Sequence, residues 1–211
     1  MDSLGMKPEE IEEESFRIID AEAGDHGWPN TEWQLVRRAI HTSADFDYIQ
    51  SMVISENAIE KAVAALKGGA GIVTDTNMAL SGISKPRLAT LGCSFSCHVA
   101  DQDVAEQARA EGITRSIAAM RKATKNSDNR IFVIGNAPTA LFELLRLIGT
   151  GQAKPALIIG VPVGFVGAEE SKNALASDTH SIPFITNIGR KGGSTVAAAV
   201  VNALAILATC H

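Results

Sequence analysis

Apolar side chains at Ile11, Phe16, Ile18 and Ile19 recur among acids over Pro8–Ala23. That spacing predicts an amphipathic helix with proline in its first turn. Glu9, Glu10 and Glu12 sit near its amino end, where the helix dipole favours negative charge. Gly24 stops it, and a second helix is predicted from Asn30 or Thr31 to His41. From residue 55 onward the pattern alternates. Short apolar runs at 71–75, 88–91, 131–134, 156–160 and 182–185 read as buried strands. Before, between and after them, helical periodicity covers residues 55–66, 101–110, 114–124, 139–148, 168–176 and 193–208. Strands alternating with helices predict an α/β fold: a three-layer, doubly wound sandwich on a mostly parallel sheet of about five strands. A helical segment to about residue 50 precedes it, and residues 1–211 form one domain.

In such folds ligands bind outside the carboxyl ends of the strands. Those ends lead into residues 75–78 (Asp-Thr-Asn-Met), 135–139 (Gly-Asn-Ala-Pro-Thr), 161–165 (Val-Pro-Val-Gly-Phe) and 186–190 (Thr-Asn-Ile-Gly-Arg). All are built of residues that permit sharp turns and close backbone approach. The expected pocket lies there.

Composition narrows the function. The 211 residues carry a net charge of -5 and are 5% aromatic. A nucleic-acid binder needs a basic surplus and stacking rings, so none is expected. The first residues are acidic where a secretory signal would be basic and then apolar, and the apolar run from 196 to 208 is broken by Asn202. No membrane span and a reducing, cytoplasmic setting are therefore expected. Cys93, Cys97 and His98 are close in sequence, but structural zinc wants four ligands in two tight pairs, so no metal site is predicted.

Residues 134–140 (Ile-Gly-Asn-Ala-Pro-Thr-Ala) follow a strand and open a helix without the dinucleotide fingerprint. Residues 189–195 (Gly-Arg-Lys-Gly-Gly-Ser-Thr) place lysine ahead of the paired glycines, so phosphate-loop spacing fails. Gly192 and Gly193 suit tight packing or an anion at a helix start, and Arg190 and Lys191 beside them favour the anion. Of the five histidines, His26, His41, His98, His180 and His211, only His41 keeps chemical company. It stands where a helix ends, between Arg37, Arg38 and the turn of Thr42, Ser43 and Asp45. The helix end favours an imidazolium and the arginines oppose it, which suits a general acid. No serine or cysteine nucleophile is spaced as its partner. Arg37, Arg38, Arg87, Arg115, Arg121 and Arg190 are candidate carboxylate clamps. Arg115 with Ser116, at a helix start, is the foremost of these.

Six blocks in order closely resemble the precorrin-8X methylmutase family, also called cobalt-precorrin-8 methylmutase. They are residues 11–19, 38–45, 114–116, 134–140, 161–166 with 170–172, and 189–194. The resemblance implies an isomerase of cobalamin biosynthesis without a redox or nucleotide cofactor. It would move a methyl group from C11 to C12 of a corrinoid macrocycle, giving hydrogenobyrinate or its cobalt-containing counterpart, cobyrinate. The family histidine matches His41, and the family is homodimeric with its active site at the subunit interface. A flat apolar macrocycle fringed with carboxylates needs a wide greasy cleft edged with donors. Met78, Leu80, Pro138 and Phe165 are expected on its face, and Ser15, Arg38, Thr76, Arg115, Ser116, Asn136 and Arg190 at its rim. The alternative is a carrier that binds corrinoids without converting them.

Overall fold

The computed structural model describes residues 5, 7–177 and 182–210, so His180 and His211 lie outside the described residues. The elements run α1 (Pro8–Ala23), α2 (Asn30–Ser43), α3 (Tyr48–Ser51), β1 (Met52–Ile54), α4 (Ala58–Lys67), β2 (Gly71–Thr74), α5 (Asn77–Gly82) and α6 (Lys85–Ala89). They continue with β3 (Phe95–Ser96), α7 (Gln102–Glu111), α8 (Arg115–Ala123), β4 (Asn129–Ile134), α9 (Pro138–Gly149), β5 (Leu157–Gly160), α10 (Ala168–Ala176), β6 (Phe184–Asn187) and α11 (Ser194–Thr209).

The sheet has six strands in the order β1-β6-β5-β4-β2-β3. All neighbours are parallel except β1, which runs antiparallel to β6. Alternate strand residues face opposite layers, as the pleat requires. Ile72, Ile131, Val133, Leu157, Ile159 and Ile185 join the core shared with α1, α2, α4 and α11. Val73, Phe132, Ile134 and Ile158 join the core shared with α8, α9 and α10. The expected three layers are therefore present, with α7 packed on α8.

The chain winds from β2 one way to β3 and the other way to β4, β5 and β6. The order reverses between β2 and β4, which places the crevice of a doubly wound sheet at their carboxyl ends. Two glycines let α11 start against that edge. A Cβ on Gly135 would lie 2.7 Å from the Ser194 Cα, and one on Gly192 would lie 2.1 Å from the Val161 oxygen. The Gly193 amide donates to that same Val161 oxygen at 2.9 Å. Gly192 thus serves close packing and the Gly193 amide is taken by the Val161 carbonyl, rather than by the anion favoured by their sequence neighbours.

Several expectations are corrected. Residues 88–91 are the end of α6 and a turn, not a strand, because Pro86 opens a helix there and Leu88 is buried as its inward residue. The edge strand is instead the two-residue β3. Residues 52–54 form an additional strand, making six rather than about five. Helix α4 starts at Ala58 rather than residue 55: the Ser55 hydroxyl accepts from the Phe184 amide at 2.8 Å, and Asn57 takes the left-handed conformation just before the helix. The last strand starts at Phe184, two residues later than read, just past Pro183.

Candidate active site

His41 lies in the last turn of α2, whose C-cap Ala44 takes a left-handed conformation and donates its amide to Ile40. Helix α1 holds this end of α2 in place. Arg37 pairs with Asp20 at 2.7 Å and Arg38 with Glu12 at 2.8 Å. Both guanidiniums lie over the Phe16 ring, 4.3 and 5.0 Å from its centroid. Phe16 also meets the imidazole of His41 edge-on, with ring centroids 5.1 Å apart. One aromatic ring thus carries two cations and buttresses the histidine. The carboxylates neutralise the arginines, so Arg38 faces the site as half of an ion pair rather than as a free clamp.

His41 is exposed at a cleft of about 440 Å³. One wall is Glu12, Arg38, His41 and Thr42; the other is Gly82 with Thr195, Ala198, Ala199 and Asn202 of α11. The far wall is built mostly of short side chains, which leaves room for a planar ligand. Asn202 fixes it by accepting the Ser84 amide at 2.8 Å and donating to the Gly82 carbonyl at 2.9 Å. Sequence reasoning missed this wall, since alanine and glycine carry no chemical signal. Asn202, interrupting an apolar helix, was its one visible mark.

The remaining predicted residues gather at the carboxyl edge of the sheet. Thr76 and Met78 follow β2, Asn136 and Pro138 follow β4, Phe165 follows β5, and Arg190 follows β6. Thr114, the cap of α8, donates to Thr139 in the first turn of α9 at 3.2 Å, which brings Arg115 and Ser116 to the same edge. Met78, Phe165, Val166 and Ile188 are 67%, 84%, 88% and 56% exposed, a greasy rim of the expected kind. The Arg190 guanidinium lies 5.6 Å from the Phe165 ring centroid, and Arg115 is exposed. Leu80 is half-buried in α5.

Two of the predicted hydroxyls are committed elsewhere. Ser15 donates back to the Ile11 carbonyl at 2.7 Å. Thr76 accepts the Ala79 amide at 3.1 Å as cap of α5 and bonds Ser194 at 2.8 Å. That last contact joins the rim to the His41 cleft, because Thr195 lines the cleft and α5 (Asn77–Gly82) carries Met78 at one end and the cleft's Gly82 at the other.

Asp75 behaves unlike its neighbours. It is buried at the switch point, where its carboxylate accepts the amides of Gly135, Asn136 and Ala137 at 3.0, 2.8 and 2.7 Å. Such a fan of amides ahead of a helix is where related folds hold phosphate. Here the chain's own carboxylate fills it. Burial pushes the Asp75 carboxyl up from the usual range, against the opposite pull of the three amides.

Two of the larger hollows lie well away from this edge. One, of about 800 Å³, sits at the amino ends of the strands beside Ala70, Ser94, Asp128, Ala156 and Pro183. The other, of about 760 Å³, lies by Arg121 and Arg146, whose charges are answered by Glu143 at 2.7 Å each. Neither is at the crevice of the sheet. Near the cysteines, His98 bonds Asp101 at 2.9 Å and the Cys93 thiol donates to the Leu66 carbonyl at 3.4 Å.

A family model described as precorrin-8X methylmutase matches residues 10–207. A cobalt-precorrin-8 methylmutase of Priestia megaterium is 48% identical over 205 residues, covering 97% of this chain and 90% of that protein. A precorrin-8X methylmutase of Pseudomonas aeruginosa is 42% identical, covering 92% and 93%. The crystal structure of a precorrin-8X methylmutase from Thermus thermophilus superposes with a TM-score of 0.86 at 44% identity, covering 94% of this chain and 95% of that one.

Proposed function

The chain belongs to the precorrin-8X methylmutase family, and from that premise we propose that His41 is the acid that assists the methyl shift in the cleft between α2 and α11. The enzyme is an isomerase of cobalamin biosynthesis. Its substrate is precorrin-8X or cobalt-precorrin-8, and any cobalt is carried by the macrocycle as part of that substrate. The methyl group leaves C11 and bonds to C12 while the conjugated double bonds relocate, so substrate and product are isomers. No nucleophile is needed. What helps is a proton or hydrogen bond lent to the conjugated ring, which raises its electron demand and is returned afterwards, together with rigid orientation.

One observation carries this reading: an exposed imidazole, buttressed by Phe16, stands across a cleft from the short side chains of Ala198 and Ala199 and from Gly82. The macrocycle lies with one edge in that cleft and spreads over Met78 and Phe165. Its acid arms reach Arg115, Ser116, Asn136 and Arg190. A cleft of about 440 Å³ is at the lower end of the roughly 300–1,000 Å³ that drug-sized ligands occupy. A tetrapyrrole outgrows it, which supports a second copy of the chain closing the site in a homodimer. Among the described residues no helix is long and apolar enough to cross a membrane; we place the enzyme in the cytoplasm, where thiols such as Cys93 and Cys97 stay reduced.

The test is spectral. Mixed with precorrin-8X, the protein is expected to change the visible absorption progressively as conjugation is rearranged, with many turnovers per chain. An instantaneous band shift that stops at one equivalent would instead identify a corrinoid carrier.

A further inference from the structure

The loop between β6 and α11 carries Arg190 and Ile188, and its shape is fixed from beneath. Three of its carbonyls point inward. Ile188 accepts from the Asn187 amide nitrogen Nδ2 at 3.2 Å, Arg190 from the Gly164 backbone amide at 3.1 Å, and Lys191 from Asn187 Nδ2 at 2.9 Å. The Lys191 carbonyl also accepts from the Lys172 ammonium at 2.6 Å. Lys172 projects from α10, is 1% exposed, and has the Asn187 Oδ1 at 3.4 Å. With the carbonyls turned in, the Ile188 and Arg190 side chains face out. The Lys191 side chain reaches across to Asp45 at 2.6 Å and to Asp47, beyond the helix end that carries His41.

We propose that Lys172 is a positioning residue for corrinoid binding: its buried ammonium holds the loop after β6 in the shape that presents Arg190 at the rim. A buried ammonium is costly, and an apolar side chain of the same length would fill the space without that cost. The charge is therefore of use to the acceptors it meets, the Lys191 carbonyl first and the Asn187 Oδ1 beside it. Burial pushes the amine down to about 8, and the carboxylate of Glu169, one turn back on α10, pulls it up. Lys172 does not touch the ligand. It acts through the backbone of Lys191 on the side chain of Arg190.

The inference rests on the corrinoid reading, and the experiment separates the two. Lys172→Met keeps the packing and removes the ammonium. Folded Lys172→Met is expected to unfold at the same temperature as the native chain or higher. Its dissociation constant for the corrinoid product, read from the visible spectrum, and its KM rise about tenfold, while kcat at saturation stays within about threefold. In Lys172→Ala, added methylammonium fills the vacated space and restores binding, whereas it does nothing for Lys172→Met. Native affinity in Lys172→Met overturns the proposal and leaves the corrinoid reading intact. A native chain that binds no corrinoid overturns that reading itself. Failure of both variants to fold, with or without the amine, makes Lys172 part of the scaffold and equally overturns the proposal.

Discussion

His41→Ala lowers turnover of the corrinoid substrate by about 10²–10⁴-fold, the range a positioned general acid supplies. That corresponds to roughly 3–5 kcal/mol of transition-state stabilisation. Corrinoid affinity changes only a few-fold, because the imidazole is one contact on a broad rim and its assistance is felt in the transition state. Folding is little disturbed: His41 is exposed, and α1 stays fastened to α2 through Arg37–Asp20 and Arg38–Glu12. Steady-state rates and spectral titration on the same preparation check both halves. A variant that retains the native rate would reduce His41 to a surface residue beside Phe16.

Asp75→Ala has the second large effect, on stability. Its carboxylate receives three amide hydrogen bonds in a buried crevice. Hydrogen bonds to a charged acceptor contribute about 1.5–3 kcal/mol each, and three orphaned donors cost more than the bonds were worth in water. A loss of about 3–5 kcal/mol is expected in urea unfolding, a large share of the roughly 5–15 kcal/mol that holds a domain together. Asp75→Asn keeps the shape but turns an amide toward a donor, so it loses somewhat less. A loss under about 1 kcal/mol for Asp75→Ala would mean that water satisfies the amides.

The crevice bears on what the sequence reveals. Asp75 stands in a strand-end loop that reads as pocket, and a strand-end acid signals ligand chemistry. Only the fold shows that three backbone amides consume it. The same holds for Gly192 and Gly193, whose basic neighbours suggest an anion until the Val161 carbonyl is found against them. What was legible rested on long periodic patterns and on caps. Helix α1 is legible to both of its ends, and α2 and α7 to α11 within about two residues. Strands β2, β4 and β5 appeared as apolar runs because each is buried on both faces. Strands β1 and β3 have three and two residues, too few for any period to show. Residues 88–91 look like a strand because a single helical turn and a short apolar run place leucines at the same spacing.

The site divides the same way. Its rim was legible, since the strand-end rule needs only an alternating pattern to find Met78, Asn136, Phe165 and Arg190. Arg115 and Ser116 came from their place at a helix start. His41 was legible as the one histidine among arginines and hydroxyls. Its support was not: Phe16 lies 25 positions back on another helix, and no local pattern links the two. The wall opposite was the least visible, because room is made there by leaving side chains out.

The most direct test is a crystal structure with the corrinoid product bound. We expect the edge of the macrocycle that bears the migrated methyl group to sit within van der Waals contact of the His41 imidazole, with acid arms on Arg115 and Arg190. A macrocycle seated in the hollow at the amino ends of the strands, or lying on this edge with His41 beyond reach of the ring, would contradict the account.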